Sequence, residues 1–328
     1  MGLVLALLFG FVPVFFYAVL MYWVDRYEKE PVLLLGGVFL WGVVIAAGGA
    51  FIVNTVLGLG IYLFTGSENM TEIGTSTLIA PLVEESLKGI AVLAVFLLFR
   101  KEFDSVVDGI VYAAITALGF AATENTYYIY TYGYASNGMS GLLTLAFIRV
   151  ILVGWQHPFY TAFTGIGLAT ARLSRNTLVK IGAPIAGWIF AVFTHAVHNL
   201  LATLLNSTAG MFMGTLVDWT GWLGMAAFLL WMLAREQHLL ERLLRSEMRA
   251  GVITSEQYDI ACSAWKQTMA RLRALPRGKF RETRRFYQLC GELVHKKYQL
   301  ATLGDEGGNT RAVEELRVQL AQLSMKIE

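Results

Sequence analysis

The sequence predicts an all-α fold: a polytopic bundle of about seven transmembrane helices, with eight as the alternative count, followed by a helical cytoplasmic C-terminal tail. Three observations carry this. Of 328 residues, 56% are hydrophobic and only 15% charged, with mean hydropathy +0.55, whereas a soluble domain runs at about 45–50% apolar and about 25% charged. The excess sits in runs of some 20 residues or more, the length a membrane-spanning helix needs. The charge divides sharply: 17 of the 26 Lys and Arg residues lie from Arg235 onward, with 12 Asp and Glu. Residues 1–235 therefore read as a membrane domain and 236–328 as a cytoplasmic helical tail.

The apolar runs are 2–24, 33–64, 77–99, 107–131, 141–171, 179–205 and 213–234. The first holds no Lys or Arg and ends in Met21-Tyr22-Trp23. It lacks the basic start and small-residue cleavage site of a signal peptide and reads as a retained helix. The 33–64 run is long enough to tilt or to end in an interfacial turn, and Pro158 is expected to kink the 141–171 run. Loop charge alternates. Arg26 and Lys29, then Arg100 and Lys101, then Arg172 and Arg175 mark every second connection, while 65–76, 132–140 and 206–212 carry no basic residue. Basic loops stay in the cytoplasm, which puts the N-terminus outside and the tail inside. Splitting either long run would break the alternation. Asp25, Glu28 and Glu30 fall in the first cytoplasmic loop and read as solvated. Tyr127, Tyr128, Tyr130, Tyr132 and Tyr134 read as an aromatic belt at the outer interface.

The tail mixes both signs of charge, so nucleic-acid binding is not indicated. Its apolar spacing over 255–275 and 280–301 predicts helices, and Gly304–Asn309 a turn before a last short helix. Cys262 and Cys290 are too few for a disulfide framework or a zinc ribbon and read as ordinary reduced thiols. No internal repeat is evident, which weighs against a secondary transporter.

Ionisable groups inside a bilayer are expensive and point to function. Here they cluster: Glu84, Glu85 and Lys88 in the third run, Glu124 and Asn125 in the fourth, Arg149 and Gln156-His157-Pro158 in the fifth, His195, His198 and Asn199 in the sixth. Counted from the outer span ends at 1.5 Å per residue, Glu84, Glu85, Glu124, His195 and Asn199 fall roughly 9–15 Å deep, with His157 somewhat deeper. Helical spacing puts Glu84 with Lys88, and His195 with Asn199, on shared faces. Lys88 reaches either glutamate and lowers the cost of burying them. Taken singly, each residue has a bland reading: the Glu–Lys pair as helix glue, His157 as a satisfied core histidine, His198 as structural, Asn199 as an interhelical hydrogen bond, Arg149 as a counter-ion. Four helices bringing polar groups to one level argue against that reading of the set.

Peptide hydrolysis needs a base to activate water, an acid for the leaving amine and donors for the oxyanion, and buried carboxylates, His and Asn can supply them. No serine-protease triad is present; Ser86 has no base at a useful spacing. Glu84, Glu124, His157 and His195 are also candidate ligands for a divalent metal such as zinc, although no H-E-x-x-H helix exists and the site would have to be assembled from separate spans. The residues leave a glutamate-activated and a metal-bound water equally open.

At Glu84-Glu85-x-x-Lys88, Gly119-Phe120-x-x-x-Glu124-Asn125, His157 and His195-x-x-x-Asn199, the chain resembles the PrsW family of membrane proteases, which is related to the CAAX prenyl proteases and Abi proteins. The resemblance covers residues 75–205 and, more weakly, the Asp25–Pro31 loop. It implies a bacterial cell-membrane endopeptidase that cuts membrane-anchored proteins, with site-1 cleavage of a transmembrane anti-sigma factor as the expected role. It implies Glu84 as water activator supported by Glu85, Glu124 and His157 completing the polar centre, and His195 and Asn199 on the oxyanion side. Lys88, Asn125 and Arg149 would support them. Two departures matter: CAAX proteases carry a His where this chain has Glu124, and their basic residue is an Arg placed differently from Lys88. Prenylated substrates are therefore not implied. The rival reading is a proton- or cation-coupled transporter built on the same Glu/His cluster.

Overall fold

The computed structural model describes residues 1–204, 208–305 and 307–327. Among these no strand occurs, and the chain folds as fourteen α-helices with short π-helical and 3-10 segments between some of them. Two compact units emerge. The first holds Met1–Val24, Glu30–Arg172 and Asn176–Ala227; the second holds Asp25–Lys29, Leu173–Arg175 and Phe228–Glu328.

The first unit is built from α1 (Gly2–Val24), α2 (Val32–Leu40), α3 (Ala47–Thr65), α4 (Glu68–Gly74), α5 (Ala80–Leu98), α6 (Val106–Tyr128), α7 (Ala135–Ala146), α8 (Gln156–Arg172), α9 (Thr177–Leu204) and the first part of α10 (Thr208–Arg249). Among the described residues, five stretches are long and apolar enough to cross a membrane: Gly2–Val24, Val32–Thr65, Val106–Arg172, Thr177–Leu204 and Phe212–Arg249. The stretch from 106 to 172 is not one rod. It reverses at Asn137 and Gly138, where Gly138 takes φ +62°, and breaks again at 153–155. That second break changes the expectation for Pro158. It lies in the first turn of α8, where its missing N–H is no loss, so the helix ends before the proline instead of kinking at it. The basic-free segment 65–76 is mostly helix, since Ser67 caps α4 and the helix runs on into α5. Residues 205–207 lie outside the described residues, and 208–212, expected as loop, already belong to α10.

α6 is the axis of this unit. It is buried along nearly its whole length and packs on α1, α2, α5 and α8. Small residues make this possible. A Cβ on Gly109 would sit 2.4 Å from the Gly165 carbonyl oxygen of α8, and one on Gly119 would sit 2.1 Å from the Phe39 carbonyl oxygen of α2. Without water to drive association, such close backbone approach supplies the dispersion contacts that hold membrane helices together. Gly119, noted in the sequence as part of a motif, is thus a packing residue that sets the position of Glu124 five residues on. π-helical segments at Trp41–Ala46 and Thr75–Ile79 interrupt the helices around it. Each offers a backbone carbonyl to another helix: Val43 accepts from Thr123 Oγ1 at 2.9 Å and Ser76 from Asn199 Nδ2 at 2.8 Å.

The second unit comprises the end of α10, then α11 (Ser255–Ala261), α12 (Ala264–Ala274), α13 (Phe280–Leu303) and α14 (Asn309–Ile327). Its core gathers Leu240, Leu244, Phe286, Leu289, Leu293 and Tyr27, among others. Glu247 is buried there and held by Lys297 (2.6 Å) and Arg317 (2.8 Å). Cys262 and Cys290 are free and buried. Burial pushes the Cys262 thiol up to about 11 and the Cys290 thiol higher still. The expectation that Asp25 and Glu30 are solvated is wrong: both are buried. Lys29 donates to the Asp25 carbonyl, and within the first unit the Tyr112 hydroxyl donates to Glu30. A charge-rich loop looks solvated in a sequence because its partners lie far along the chain.

Candidate active site

The polar residues of α5, α6, α8 and α9 converge inside the first unit around a cavity of about 260 Å³, walled in part by Glu84, Glu124, His157, His195 and Asn199. Each glutamate has a different task. Glu85 is fully buried and fully engaged. Its Oε1 lies 2.5 Å from Lys88 Nζ and 2.9 Å from His195 Nδ1, and its Oε2 accepts from Thr161 at 2.8 Å. Glu124 Oε2 accepts from Arg149 and meets His157 Nε2 at 2.9 Å; Arg149 also donates to Asn125 Oδ1 at 2.9 Å and lies over the Tyr128 ring.

Glu84 is the exception. Its Oε1 takes a long contact from Asn54 Nδ2 at 3.5 Å, while its Oε2 is buried with no hydrogen-bond partner. Lys88 Nζ stands 3.9 Å from that oxygen and His195 Nε2 3.8 Å. An unpartnered carboxylate oxygen in a low-dielectric interior is costly, so its retention needs a reason. The surrounding geometry supplies one. Ligand atoms of Glu84, His157 and His195 all lie within 4.8 Å of one another. Glu85 engages Nδ1 of His195 and so leaves Nε2 turned toward Glu84, the arrangement by which an outer carboxylate fixes the tautomer of a ligating histidine. Tyr160 stacks on the His195 ring at 4.7 Å and holds its plane. Three carboxyl groups here meet two cationic side chains, Lys88 and Arg149. Two imidazoles and one carboxylate suit a divalent ion of zinc type; to bind it His157 would give up one of its present contacts, Nε2 to Glu124 at 2.9 Å or Nδ1 to Lys88 Nζ at 3.3 Å. The residues fit a metal.

Residues 30–233 match the family model described as the PrsW family intramembrane metalloprotease. The chain belongs to the PrsW family. Among curated relatives, the protease PrsW of Geobacillus kaustophilus is 29% identical over 190 residues, 58% of this chain and 76% of that protein. That of Bacillus subtilis is 30% identical over 187 residues, 56% and 76% respectively. That of Clostridioides difficile is 34% identical over 114 residues, 34% and 46%. No solved structure matches. As a member of the PrsW family the chain is a membrane-embedded peptidase acting on membrane protein substrates.

Of the site residues read from the sequence, Glu84, Glu124, Asn125, Arg149, His157, His195 and Asn199 line the cavity, and Glu85 and Lys88 touch His195 and Glu84 from behind it. Glu124, one of the four candidate metal ligands, is turned to Arg149 and His157 and is not in the Glu84–His157–His195 group. Asn199 lines the cavity with its amide tied to Ser76. Three residues were missed. Asp218 lies 2.9 Å from His198 Nδ1, Gln156 Nε2 lies 2.9 Å from the same nitrogen, and Trp222 donates to Gln156 Oε1 at 2.9 Å. Asp218 had a signal: it is the one ionisable residue between 213 and 234. Gln156 stood in a noted motif but was passed over for its histidine neighbour.

Proposed function

We propose that this chain is an endopeptidase that cuts membrane-anchored proteins at a site held by Glu84, His157 and His195, with site-1 cleavage of a transmembrane anti-sigma factor as its role. The observation that carries the site is the unpartnered Glu84 Oε2 among two histidines, one of them oriented by Glu85. Glu84, His157 and His195 would hold a divalent ion, which would supply Lewis acidity to a carbonyl oxygen and acidify water. Glu85 keeps His195 in one tautomer, and Lys88 offsets the charge of Glu85. Glu124, the remaining carboxylate on the cavity wall, accepts the proton of the attacking water and returns it to the leaving amine; Arg149 and His157 fix its orientation. Asn199 provides an amide donor on the oxyanion side, and Asn125 steadies Arg149.

We further propose seven spans, an external N-terminus, a membrane domain over 1–235 and a cytoplasmic tail over 236–328. Support comes from the second unit itself. The basic loops Asp25–Lys29 and Leu173–Arg175 fold into one body with the tail, as segments on one side of a membrane would.

The test is co-expression of wild type, Glu84→Gln and His195→Ala with tagged single-span proteins, followed by metal stripping and restoration in detergent. A fragment made by wild type and lost in both variants at equal expression, and lost reversibly on stripping, is expected. Full activity after stripping would leave a glutamate-activated water as the mechanism. Equal fragments in all three would return the cluster to ion transport.

A further inference from the structure

The most unusual surface of the second unit is α12. Most helices bury their large apolar residues; this helix packs its alanines inward and turns its largest apolar side chains out. Trp265 and Leu272, seven residues apart and so within about 20° of each other around the axis, are 70% and 50% exposed, and Leu275 just past the helix end is 52% exposed. The residues on the opposite side, Gln267 and Ala274, are buried, with the Gln267 amide donating to the Ala261 carbonyl at 2.8 Å. The outward orientation is therefore fixed by contacts on the inner face.

The same stretch is strongly basic. Residues 265–285 hold eight Lys and Arg against one acidic residue, Glu282, although the tail as a whole is mixed. Lys266 and Arg273 flank the apolar stripe at about 80–100° from it, and Arg273, Arg277 and Arg281 are exposed. Lys266 pairs with Asp259 at 2.6 Å and Arg285 with Glu292 at 2.5 Å, which leaves the stretch with a large cationic excess. The family match ends at residue 233, so nothing in the peptidase domain accounts for this surface.

We infer that the α12 surface of Trp265, Leu272 and Leu275, with the basic residues around it, docks on an anionic bilayer surface. The pairing of an exposed indole and leucines with clustered arginines matches the chemistry of a headgroup layer, which takes apolar side chains to a shallow depth and attracts cations to acidic lipid. Covalent linkage favours this occupant over a soluble acidic partner. α10 runs unbroken from the apolar stretch that begins at Phe212 into this unit, so a bilayer is always within reach. The consequence is a tail held flat against lipid and released by high salt or by loss of acidic lipid.

The experiment uses the full chain in nanodiscs, with an environment-sensitive fluorophore on Leu272→Cys or, as a control, on Val318→Cys of α14. The native thiols are buried and stay unlabelled. In phosphatidylcholine containing phosphatidylglycerol, the Leu272→Cys label is expected to shift to the blue and to lose emission to nitroxide-bearing lipid. The effect should vanish in pure phosphatidylcholine, in high salt and in Arg273→Glu/Arg277→Glu, while the control label stays water-like throughout. A water-like label at 272 in both lipids overturns the inference. So does a blue shift indifferent to lipid charge and salt, which would mean burial against protein. Should the double variant expose Cys290 to alkylation, the salt and lipid dependence of the unsubstituted charge set decides alone.

Discussion

The two units solve opposite problems with the same twenty side chains. In the first, Phe64 and Leu33 are more than nine-tenths exposed while Lys88 and Glu85 are wholly buried; in the second, Leu289 and Leu293 are wholly buried and most arginines face out. A bilayer rewards apolar surface, so the membrane unit coheres through close backbone packing and internal polar contacts, whereas the tail coheres by removing apolar area from water. Buried charge therefore means different things in each. In the tail, Glu247 with Lys297 and Arg317 ties helices together. In the membrane unit the charges surround a cavity, and one oxygen among them is left without a partner.

The sharpest way to break this contrast is to remove a counter-ion from the membrane unit. Lys88→Met would leave Glu85 in a fully buried site without its 2.5 Å partner, at a cost of about 3–5 kcal/mol. Adding Glu85→Gln should recover most of that, because the uncompensated charge goes with it. Unfolding in mixed micelles would read both; a single variant as stable as the double would show that Lys88 is not the charge that holds Glu85.

A smaller effect tests the packing. Gly109→Ala forces a Cβ to within 2.4 Å of the Gly165 carbonyl oxygen, whereas Gly60 of α3 has nothing within 4 Å. The first substitution should cost about 1–3 kcal/mol as α6 and α8 separate. The second should be neutral or stabilise by up to about 1 kcal/mol through helix propensity. Equal unfolding midpoints for the two variants would remove close approach as the cohesive device.

Much of this was legible in the sequence, and the failures have physical causes. Runs of apolar residues announce helices because nothing else spans hydrocarbon, and Glu84, Glu85, Glu124, His157, His195 and Asn199 stand out because polar groups are rare there. What the pattern could not give was pairing. Whether Glu124 faces a metal group or Arg149 depends on the rotation of α6 against the Phe147–Leu152 segment, which no spacing within one helix reveals. The reversal at Gly138 falls in the basic-free 132–140 connection, where the sequence places a loop, whereas the break before Gln156 was hidden inside the 141–171 apolar run. Asp25 and Glu30 were misread for the converse reason: composition made them loop-like, and their burial comes from residues distant in sequence.

The smallest effect belongs to the second unit and returns to charge burial, here outside the spans. Burial, opposed by Asp25 and reinforced by Arg271, Arg26 and Arg284, holds the Lys29 ammonium down to about 8 from 10.5. Below about 8 both folded and unfolded chains carry the proton, and the fold bears the full cost of the buried charge. Between about 8 and 10.5 the unfolded chain binds more protons than the folded one, so stability rises with pH across that window. Allowing for the solvent that Lys29 retains, the rise is on the order of 1–2 kcal/mol. Lys29→Met abolishes it. The substitution also removes the donor to the Asp25 carbonyl, but that loss is the same at every pH and leaves the slope as the discriminating quantity. Hydrogen exchange along α13, corrected for intrinsic rates and compared below about 8 and near 10, should show growing protection in wild type and none in the variant. Parallel slopes would mean that Lys29 is solvated and that folding of the tail unit does not perturb its ammonium.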